Sequence, residues 1–295
     1  MIDALLSRID ALNNPTVVGL DPTLEMIPSY LREEKFAQYG KTPEAVAEMF
    51  LAFNRAILAV QGIVPAVKPQ IAFYERYGLA GLSAYEKTAA LAKEMGFVVI
   101  GDIKRGDIGS TAAAYAAHIG GTEIAGERFD FVTVNPYLGI DGIQPFIDAC
   151  NKENKGIFVL VKTSNPSSSQ LQDIVVDGKP VYLHVAALVD EWGRAAMGAS
   201  GYSRVCAVVG APHRAEGARV RAALPHTFFL VPGYGAQGGT AEDIRGFFDK
   251  DGRGCIVNSS RGIIAAYKKN EKYGERGFAD AARDAALAMK KDIMG

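Results

Sequence analysis

Eight short apolar runs, separated by longer amphipathic stretches, constrain the fold of this chain more than any other feature of its sequence. The runs are rich in Val, Ile and Phe on both faces, which is typical of parallel strands covered by helices. They lie at residues 16–21, 66–73, 97–104, 129–135, 156–163, 204–210, 227–232 and 254–259. Eight such repeats within 295 residues favour a closed barrel over an open doubly wound sheet. The sequence therefore predicts an α/β fold, a single (β/α)8 TIM barrel forming one domain over residues 1–295.

Helix signals fall between the apolar runs and support the same architecture. Thr42 and Pro43 supply an N-cap and a first-turn proline, and Thr240 with Asp243 resembles a capping box. Other helices are predicted at residues 81–95, 109–119, 139–153, 181–197, 211–223 and 277–291. Two long loops are predicted at 22–42, after the first strand, and at 164–180, after the fifth. Because long loops at the carboxyl ends of barrel strands are usually lids or binding loops, we expect that role for both.

Composition and charge exclude several classes of protein. The formal net charge is −1, so neither a polyanion-binding surface nor a nucleic-acid partner is expected. Three widely spaced cysteines favour a reducing compartment, and the four histidines show no spacing typical of metal ligands. The N-terminal residues are too charged for a signal peptide, and no apolar run approaches the roughly 20 residues of a membrane span. We therefore expect a cytoplasmic protein with no membrane partner and no histidine support for a metal site.

The strongest chemical signal ends the third apolar run, in the string Asp102-Ile-Lys104-Arg-Gly-Asp107. Alternation along a strand puts Asp102 and Lys104 on one face, and that face is the barrel interior if Val98 and Ile100 point inward. The pair then emerges at the carboxyl end of its strand, where barrel active sites lie. An ordinary structural ion pair is the alternative, but taking charges out of water is costly unless they are well paired. With Asp107 as a third charge, the string predicts a catalytic array.

A lysine inside the second apolar run is the second signal. Lys68 must reach the barrel mouth or find a carboxylate, since an unpaired ammonium is costly to bury. Asp21, at the end of the first run, and Asp102 are the natural partners. Taken alone, Lys68 could equally be a structural partner or a site residue. Beside Asp102 and Lys104, it indicates an alternating network of two cations and two anions.

A glycine-rich turn closes the seventh run and contains a G-x-G-x-x-G pattern from Gly233 to Gly238. A dinucleotide site is disfavoured, because the pattern follows the seventh strand rather than the first and the next strand ends without an acidic residue. Barrels commonly bind phosphate in the loops after strands seven and eight. Gln237 and Arg261, in those two loops, can donate hydrogen bonds to a phosphate. We expect a phosphate site here, with a merely tight turn as the alternative.

Together these motifs resemble the orotidine 5′-monophosphate decarboxylase family, specifically its longer bacterial (type 2) branch. The resemblance covers essentially the whole chain and rests on Asp102-x-Lys104-x-x-Asp107-Ile108, Gly19-Leu-Asp21, Lys68, Thr163-Ser-Asn-Pro166, Gln237 and Arg261. It implies a cofactor-free carboxy-lyase that converts orotidine 5′-monophosphate (OMP) to uridine 5′-monophosphate (UMP) and carbon dioxide in de novo pyrimidine biosynthesis. It also implies a homodimer with shared active sites. Two departures from the commoner branch are Ser260, where a glycine is usual, and the longer, serine-rich loop after strand five.

The resemblance implies a role for each matched residue. Lys104 would protonate C6 of the pyrimidine as carbon dioxide leaves, and Asp102 would lie against the substrate carboxylate. Lys68 and Asp21 would hold the ribose hydroxyls and the charge network. The remaining implied contacts are Asp107, Ile108 and Thr111 donated into the partner's site, Thr163 or Ser164 at the pyrimidine amide edge, Gln237 and Arg261 on the phosphate, and Pro232 and Ser260 as further substrate contacts.

Three other functions remain open. A magnesium-dependent sugar-phosphate decarboxylase shares the D-x-K-x-x-D string on the same fold, and a metal requirement would favour it. A Schiff-base aldolase using Lys104 or Lys162 is disfavoured, because Asp102 and Asp107 should keep Lys104 protonated. A non-catalytic nucleotide-phosphate binder would keep the pocket without turnover. Loss of the ultraviolet absorbance of orotidylate, measured with and without a chelator, distinguishes a cofactor-free decarboxylase from these functions.

Overall fold

All eight predicted strands are present, together with a short hairpin in the connection after the fifth. The computed structural model describes residues 1–122, 124–126, 128–235 and 238–295. Its strands are β1 (Thr16–Leu20), β2 (Ala66–Pro69), β3 (Val98–Arg105), β4 (Phe131–Val134), β5 (Gly156–Lys162), β6 (Val175–Val176), β7 (Lys179–Pro180), β8 (Ser203–Val209), β9 (Thr227–Val231) and β10 (Cys255–Ser259).

Eight of these strands form one closed barrel in the order β1-β10-β9-β8-β5-β4-β3-β2, which confirms the predicted (β/α)8 fold class. The pairings are parallel: Val17 lies opposite Ala66 between β1 and β2, and Val132 lies opposite Ile157 between β4 and β5. The strands β6 and β7 form a separate antiparallel hairpin. The carboxyl ends of the parallel strands carry the loops in which barrels place their active sites.

Helices separate the barrel strands, and two of them begin at the caps that the sequence predicts. The hydroxyl of Thr42 accepts the N–H of Ala45 at 3.2 Å, and Thr240 forms the predicted capping box with Asp243. The helices are α1 (Ile2–Leu12), α2 (Ser29–Tyr39), α3 (Pro43–Ile57), α4 (Ile71–Glu75), α5 (Gly78–Glu94), α6 (Gly109–Gly120), α7 (Ile140–Glu153), α8 (Ser169–Gln172), α9 (Val181–Gly193), α10 (Arg214–Ala223), α11 (Ala241–Ile244), α12 (Arg261–Ile264) and α13 (Phe278–Met294).

Three connections differ from the sequence predictions. The 22–42 segment is not a plain loop, because it contains α2. The second strand ends at Pro69, and the apolar residues that follow it belong to α4, where the side chain of Gln70 accepts the N–H of Ala72 at 3.3 Å. The 164–180 segment contains α8 and the β6-β7 hairpin. At the second strand, the side-chain cap at Gln70 starts a helix within the predicted apolar run.

By its internal contacts the chain divides into two compact units. The first consists of Met1–Arg8 and Lys104–Asn258. In this unit the rings of Phe131 and Phe158 pack 5.1 Å apart. The carboxylate of Asp3 accepts the N–H groups of Ala199 and Ser200 at 3.1 and 2.8 Å, which fastens the start of α1. That residues 1–295 form a single domain stays a prediction.

The second unit consists of Ile9–Ile103 and Ser259–Gly295. Here the rings of Phe53 and Phe278 stack at 5.1 Å. The hydroxyl of Tyr74 donates to the carbonyl of Leu20 at 3.0 Å, and burial raises the pKa of Tyr74, so that the phenol keeps its proton. Because Leu20 is the last residue of β1, this hydrogen bond fixes the strand end from which Asp21 continues.

The cysteines are buried free thiols. Cys150, Cys206 and Cys255 form no disulfide, and burial raises the pKa of Cys150 to about 12. Burial also raises the pKa of the other two thiols, so all three stay protonated at neutral pH. In the part of the chain that the structure describes, no helix is both long enough and apolar enough to cross a lipid bilayer.

Candidate active site

Lys68 and Asp102 form a buried ion pair near the carboxyl ends of β2 and β3. The Nζ of Lys68 lies 2.7 Å from Oδ2 of Asp102, and only 5% and 9% of the two side-chain surfaces are exposed. The parallel register places Ala66 opposite Val98, and Gln70 forms a bridge with Asp102 where the strands end. The structure thus pairs Lys68 with one of the two carboxylates that the sequence suggested.

A second carboxylate acts on the same ammonium. Burial alone would lower the pKa of Lys68, but the charges of Asp102 and Asp21 outweigh burial, and the pKa lies above its ordinary value. Asp21 directly follows β1, in which Gly19 lies opposite Lys68. Lys68 is therefore a fixed cation at neutral pH, with two anions close enough to shift its protonation.

Lys104 lies two residues beyond Asp102 on β3, in an unusual backbone conformation. Its φ is +47°, in the left-handed region that residues other than glycine seldom adopt. Its N–H donates to Oγ1 of Thr133 at 2.9 Å, and the residue is exposed whereas Asp102 is buried. Regular alternation, from which a shared face was predicted for Asp102 and Lys104, therefore does not continue through Lys104. Backbone strain of this kind costs about 1–3 kcal/mol and is concentrated at functional sites.

The loop after β3 lies against the start of α7. A Cβ on Gly142 would lie 2.9 Å from the carbonyl oxygen of Asp107, so a glycine is needed for this approach. Oδ1 of Asp107 accepts the N–H of Ile108 at 2.8 Å. Asp107 is half-buried, while Ile108 and Thr111 are exposed. Large apolar side chains are exposed here and in the loop after β4, and we call Ile108, Tyr137, Leu138 and Ile140 the exposed apolar patch.

Thr163 and Ser164 directly follow β5 and are held by groups of the protein. The side chain of Gln172 accepts the N–H of Thr163 at 2.9 Å and donates to its hydroxyl oxygen at 2.7 Å. A Cβ on Gly210 would lie 2.7 Å from the Cα of Ser164, so the end of β8 approaches Ser164 closely. Both residues are half-buried. Their polar groups thus have a fixed position at the carboxyl end of a barrel strand.

The turn after β9 needs its glycines. Gly233, Gly235 and Gly238 have φ values of +96°, +70° and +92°, which side chains strongly disfavour. The turn closes with a hydrogen bond from the N–H of Gly238 to the carbonyl of Gly235 at 2.9 Å. Pro232, half-buried before the turn, accepts the N–H of Ala211 at 2.8 Å. The predicted phosphate donor Gln237 lies outside the described residues.

Ser260 and Arg261 directly follow β10. The carbonyl of Ser260 accepts the N–H of Ile263 at 2.9 Å, so Ser260 forms the N-cap of α12. Arg261 is exposed as the first residue of that helix. Since β10 lies beside β9 in parallel, with Val257 opposite Val231, the loops after the two strands begin at neighbouring strand ends. A barrel phosphate site uses these two loops.

The donor groups of the site bear on metal binding. Magnesium prefers oxygen ligands such as carboxylates, and Asp102 already holds the ammonium of Lys68 at 2.7 Å. Among the residues that the structure describes, no three or more His, Cys, Asp or Glu side chains come together in a group that could hold a metal ion. That the protein needs neither metal nor cofactor stays a prediction for experiment.

Sequence reasoning missed several residues that position the site. Thr133 holds the backbone of Lys104, and Gln172 holds Thr163. Lys162 was considered only as an aldolase lysine, yet it forms an ion pair with Asp173. Serine, glutamine and aspartate are common in loops, so the composition of residues 164–180 does not mark Gln172 and Asp173 as partners. The one available signal was a lysine inside an apolar run, the signal that identified Lys68.

Comparisons with known proteins agree on one family. The family model for "Orotidine 5'-phosphate decarboxylase / HUMPS family" matches residues 17–275. An orotidine 5′-phosphate decarboxylase from Rhodopirellula baltica is 45% identical, over 95% of this chain and 94% of the relative. The one from Clostridium acetobutylicum is 41% identical, over 99% and 98%. The solved structure of Leishmania donovani OMP decarboxylase is 29% identical, with a TM-score of 0.73 and 98% of each chain covered.

Proposed function

Because this chain belongs to the orotidine 5′-phosphate decarboxylase / HUMPS family, we infer that it is a carboxy-lyase that converts OMP to UMP and carbon dioxide in pyrimidine biosynthesis. The observation that carries this inference is the buried Lys68–Asp102 pair, followed on the same strand by the strained, exposed Lys104. Buried ion pairs are weak contributors to stability. An array of this kind at the carboxyl end of a barrel strand is better explained by catalysis.

The reaction requires a stabilised carbanion and then a proton. When the bond between C6 and the carboxylate breaks, carbon dioxide leaves and the electron pair stays on C6. The pyrimidine offers no adjacent electron sink for that charge, so a fixed ammonium aimed at C6 stabilises it without reorganisation. Lys104 supplies this ammonium and transfers its proton to C6, which gives UMP. The neutral lysine then regains a proton from water.

Lys68, Asp102 and Asp21 organise the charges of the site. Asp102 faces the substrate carboxylate, and Lys68 fixes Asp102 from the other side at 2.7 Å. The raised pKa of Lys68 keeps this cation charged throughout turnover at neutral pH. Lys68 and Asp21 also bind the ribose hydroxyls. Because Asp102 has its Lys68 partner in place before substrate binds, the charges are preorganised for electrostatic catalysis.

Contacts remote from C6 supply binding energy. Thr163 or Ser164 binds the amide edge of the pyrimidine, a role supported by their fixed position after β5. Gln237 and Arg261 bind the phosphate, with Pro232 and Ser260 as further contacts. The neighbouring strand ends of β9 and β10 support this assignment. Binding the distant phosphate can position the ring over Lys104 and stabilise closing loops.

A homodimer with shared sites is the assembly we propose. Asp107, Ile108 and Thr111 of one chain would then enter the site of its partner. The exposed apolar patch supports this, because Ile108 is 53% exposed and Tyr137 is 79% exposed, and a Cβ on Gly142 would contact both the carbonyl of Asp107 and the Cβ of Leu138. Contiguous exposed apolar side chains mark interaction sites. A two-fold interface would cover the exposed apolar patch and would also place Asp107 in the active site of the partner chain.

A cytoplasmic location without a nucleic-acid partner is proposed as well. The buried, unoxidised cysteines and the near-neutral net charge of −1 support it. A fluorescent fusion followed in living cells would test the location. Retention of the protein on immobilised DNA or RNA at physiological salt would contradict the second part.

The reaction is tested directly on purified protein. The absorbance of OMP should fall as UMP forms, with no cofactor added. Activity should persist in EDTA, because Lys104 performs the electrostatic and acid roles that a metal would otherwise supply. Loss of activity in EDTA that magnesium restores would instead indicate the magnesium-dependent sugar-phosphate decarboxylases, especially if OMP were not the preferred substrate.

Lys104→Ala tests the proposed acid. The variant should fold, since Lys104 is exposed, and it should lose turnover because both the carbanion partner and the proton donor are gone. Retention of more than about a tenth of the wild-type kcat, a loss below about 1.4 kcal/mol, would remove Lys104 from that role.

A further inference from the structure

The connection between β5 and α9 is anchored by a lysine that the decarboxylation chemistry does not use. Lys162, the last residue of β5, has a fully buried side chain whose Nζ lies 2.7 Å from Oδ1 of Asp173. The same Nζ donates to Oγ of Ser168 at 3.3 Å and lies 5.6 Å from the centre of the Tyr182 ring. A buried ammonium needs such partners. Both hydrogen-bonding partners come from the 164–180 connection, which is thereby tied to the strand.

A bulge at the end of β5 directs Lys162 toward this connection. Leu160 pairs with Val208, and Lys162 pairs with Val209, so two steps along β5 match one step along β8. Bulges bend a strand and re-aim its side chains, and they are frequent beside active sites. The anchor therefore belongs to the strand end from which Thr163 and Ser164 continue.

A second contact joins the residues next to the Lys162–Asp173 ion pair. Asp173 binds Lys162, and the preceding Gln172 binds both the N–H and the hydroxyl of Thr163. On the opposite side, the N–H of Gly210 donates to the carbonyl of Lys162 at 2.8 Å. The end of β5 is thus held between the 164–180 connection and β8, and Thr163 has little freedom to turn.

We propose that Lys162, Gln172 and Asp173 are positioning residues, which hold Thr163 and Ser164 in place for the pyrimidine ring. The inference rests on the proposed function, in which Thr163 or Ser164 binds the amide edge of the base. It assigns the serine-rich connection after β5 to base recognition rather than to a freely opening lid. Its consequence is selective: loss of the anchor weakens contacts to the base and spares contacts to the ribose phosphate.

Binding of two ligands that differ only in the base separates positioning from general stability. UMP carries the pyrimidine, and ribose 5-phosphate lacks it. Gln172→Leu removes both hydrogen bonds to Thr163 and should weaken UMP binding about ten-fold while ribose 5-phosphate changes less than about two-fold. Gln170→Leu is the matched control, since Gln170 is an exposed glutamine two residues earlier on α8. That variant should bind both ligands like the wild type.

The ion pair is tested by a double-mutant cycle. Asp173→Asn removes the partner charge at a partly exposed position and should fold, and Lys162→Met replaces the buried ammonium by an apolar chain. Each variant should weaken UMP binding more than ribose 5-phosphate binding, and the double variant should be no worse than the more damaging single one, because both act through one contact. Equal weakening of the two ligands, no weakening in Asp173→Asn and Gln172→Leu, or additive effects would overturn the proposal.

Failure of the proposed function has a different signature. Absence of OMP turnover in the wild-type protein would contradict the decarboxylase, whatever the variants do. Normal wild-type turnover, together with unchanged UMP affinity and an unchanged KM for OMP in Gln172→Leu, would contradict only the positioning role. The ligand-binding measurements need no turnover, so the two results are obtained independently.

Discussion

Two buried lysine–aspartate pairs, of nearly the same geometry, lie at opposite ends of barrel strands. Lys68 and Asp102 are 2.7 Å apart near the carboxyl ends of β2 and β3, with 5% and 9% of their side chains exposed. Lys155 and Asp130 are 3.0 Å apart, with 6% and 7% exposed, and each directly precedes a strand, β5 and β4 respectively. Distance and burial therefore do not distinguish the two pairs. Position along the strand does, because barrels place chemistry at carboxyl ends and stability at amino ends.

The pairs also differ in what surrounds them. Asp21 adds a second anion to the Lys68 pair, and the strained Lys104 follows Asp102 by two residues. We call Lys155 and Asp130, at the amino ends of their strands, the lower pair. Here the N–H of Gly156 donates to the carbonyl of Asp130 at 3.1 Å, so the charged residues adjoin ordinary strand pairing. A buried ion pair is therefore evidence for catalysis through its place in the fold.

Replacing each pair by apolar residues should give the largest contrast. Lys68→Met with Asp102→Leu should lower kcat/KM for OMP by about a thousand-fold or more, since preorganised charge is lost from the site. Lys155→Met with Asp130→Leu should leave kcat/KM of the folded protein within about two-fold, because apolar replacement of a whole pair is often neutral or stabilising. Kinetics and urea unfolding of both double variants measure the two effects. Equal loss of activity in the two double variants would show that position along the strand does not distinguish the two pairs.

Subunit mixing tests whether the active site at the carboxyl ends of the strands needs Asp107 from a second chain. Lys104→Ala and Asp107→Ala should each be inactive alone. In a mixed dimer one site carries both lesions and the other carries neither, so random exchange should restore up to about a quarter of wild-type activity. Exchange is verified with differently tagged subunits. If exchange occurs and activity stays at the parental level, Asp107 acts within its own chain.

The barrel was predictable from sequence because its strands are apolar on both faces. The same pattern marked Lys68, a charge inside such a run, as a residue that needed a partner. It could not show that Lys104 leaves the regular strand conformation, since a φ of +47° at a single residue has no periodic signal. The Lys155–Asp130 pair had a weaker signal in the sequence. Asp130 is the second residue of its apolar run, but Lys155 precedes its run, where charged residues are common and raise no question of burial.

Removing one member of the lower pair should reduce the free energy of unfolding and leave kcat/KM unchanged. Lys155→Met leaves the buried carboxylate of Asp130 without this ammonium, and loss of one member of a buried pair typically destabilises by about 3–5 kcal/mol. Urea unfolding measures the loss, and kcat/KM of the protein that remains folded should match the wild type. Adding Asp130→Leu should restore much of the stability. A single variant as stable as the wild type would show that the pair is not a structural unit.

The smallest expected effect is a pH dependence that belongs to neither pair. Burial, together with Arg128 and Arg105, lowers the pKa of His118 to about 4. The unfolded chain therefore binds a proton near pH 6.5 that the folded chain refuses, so this contribution to stability is complete above pH 6.5 and is lost as pH falls toward 4. Between pH 7.5 and 5.5 the free energy of unfolding should fall by about 1 kcal/mol from this group. His118→Gln should remove that part of the slope, whereas His226→Gln, at an exposed histidine, should keep it. If His118→Gln keeps the full slope, His118 does not carry this pH dependence.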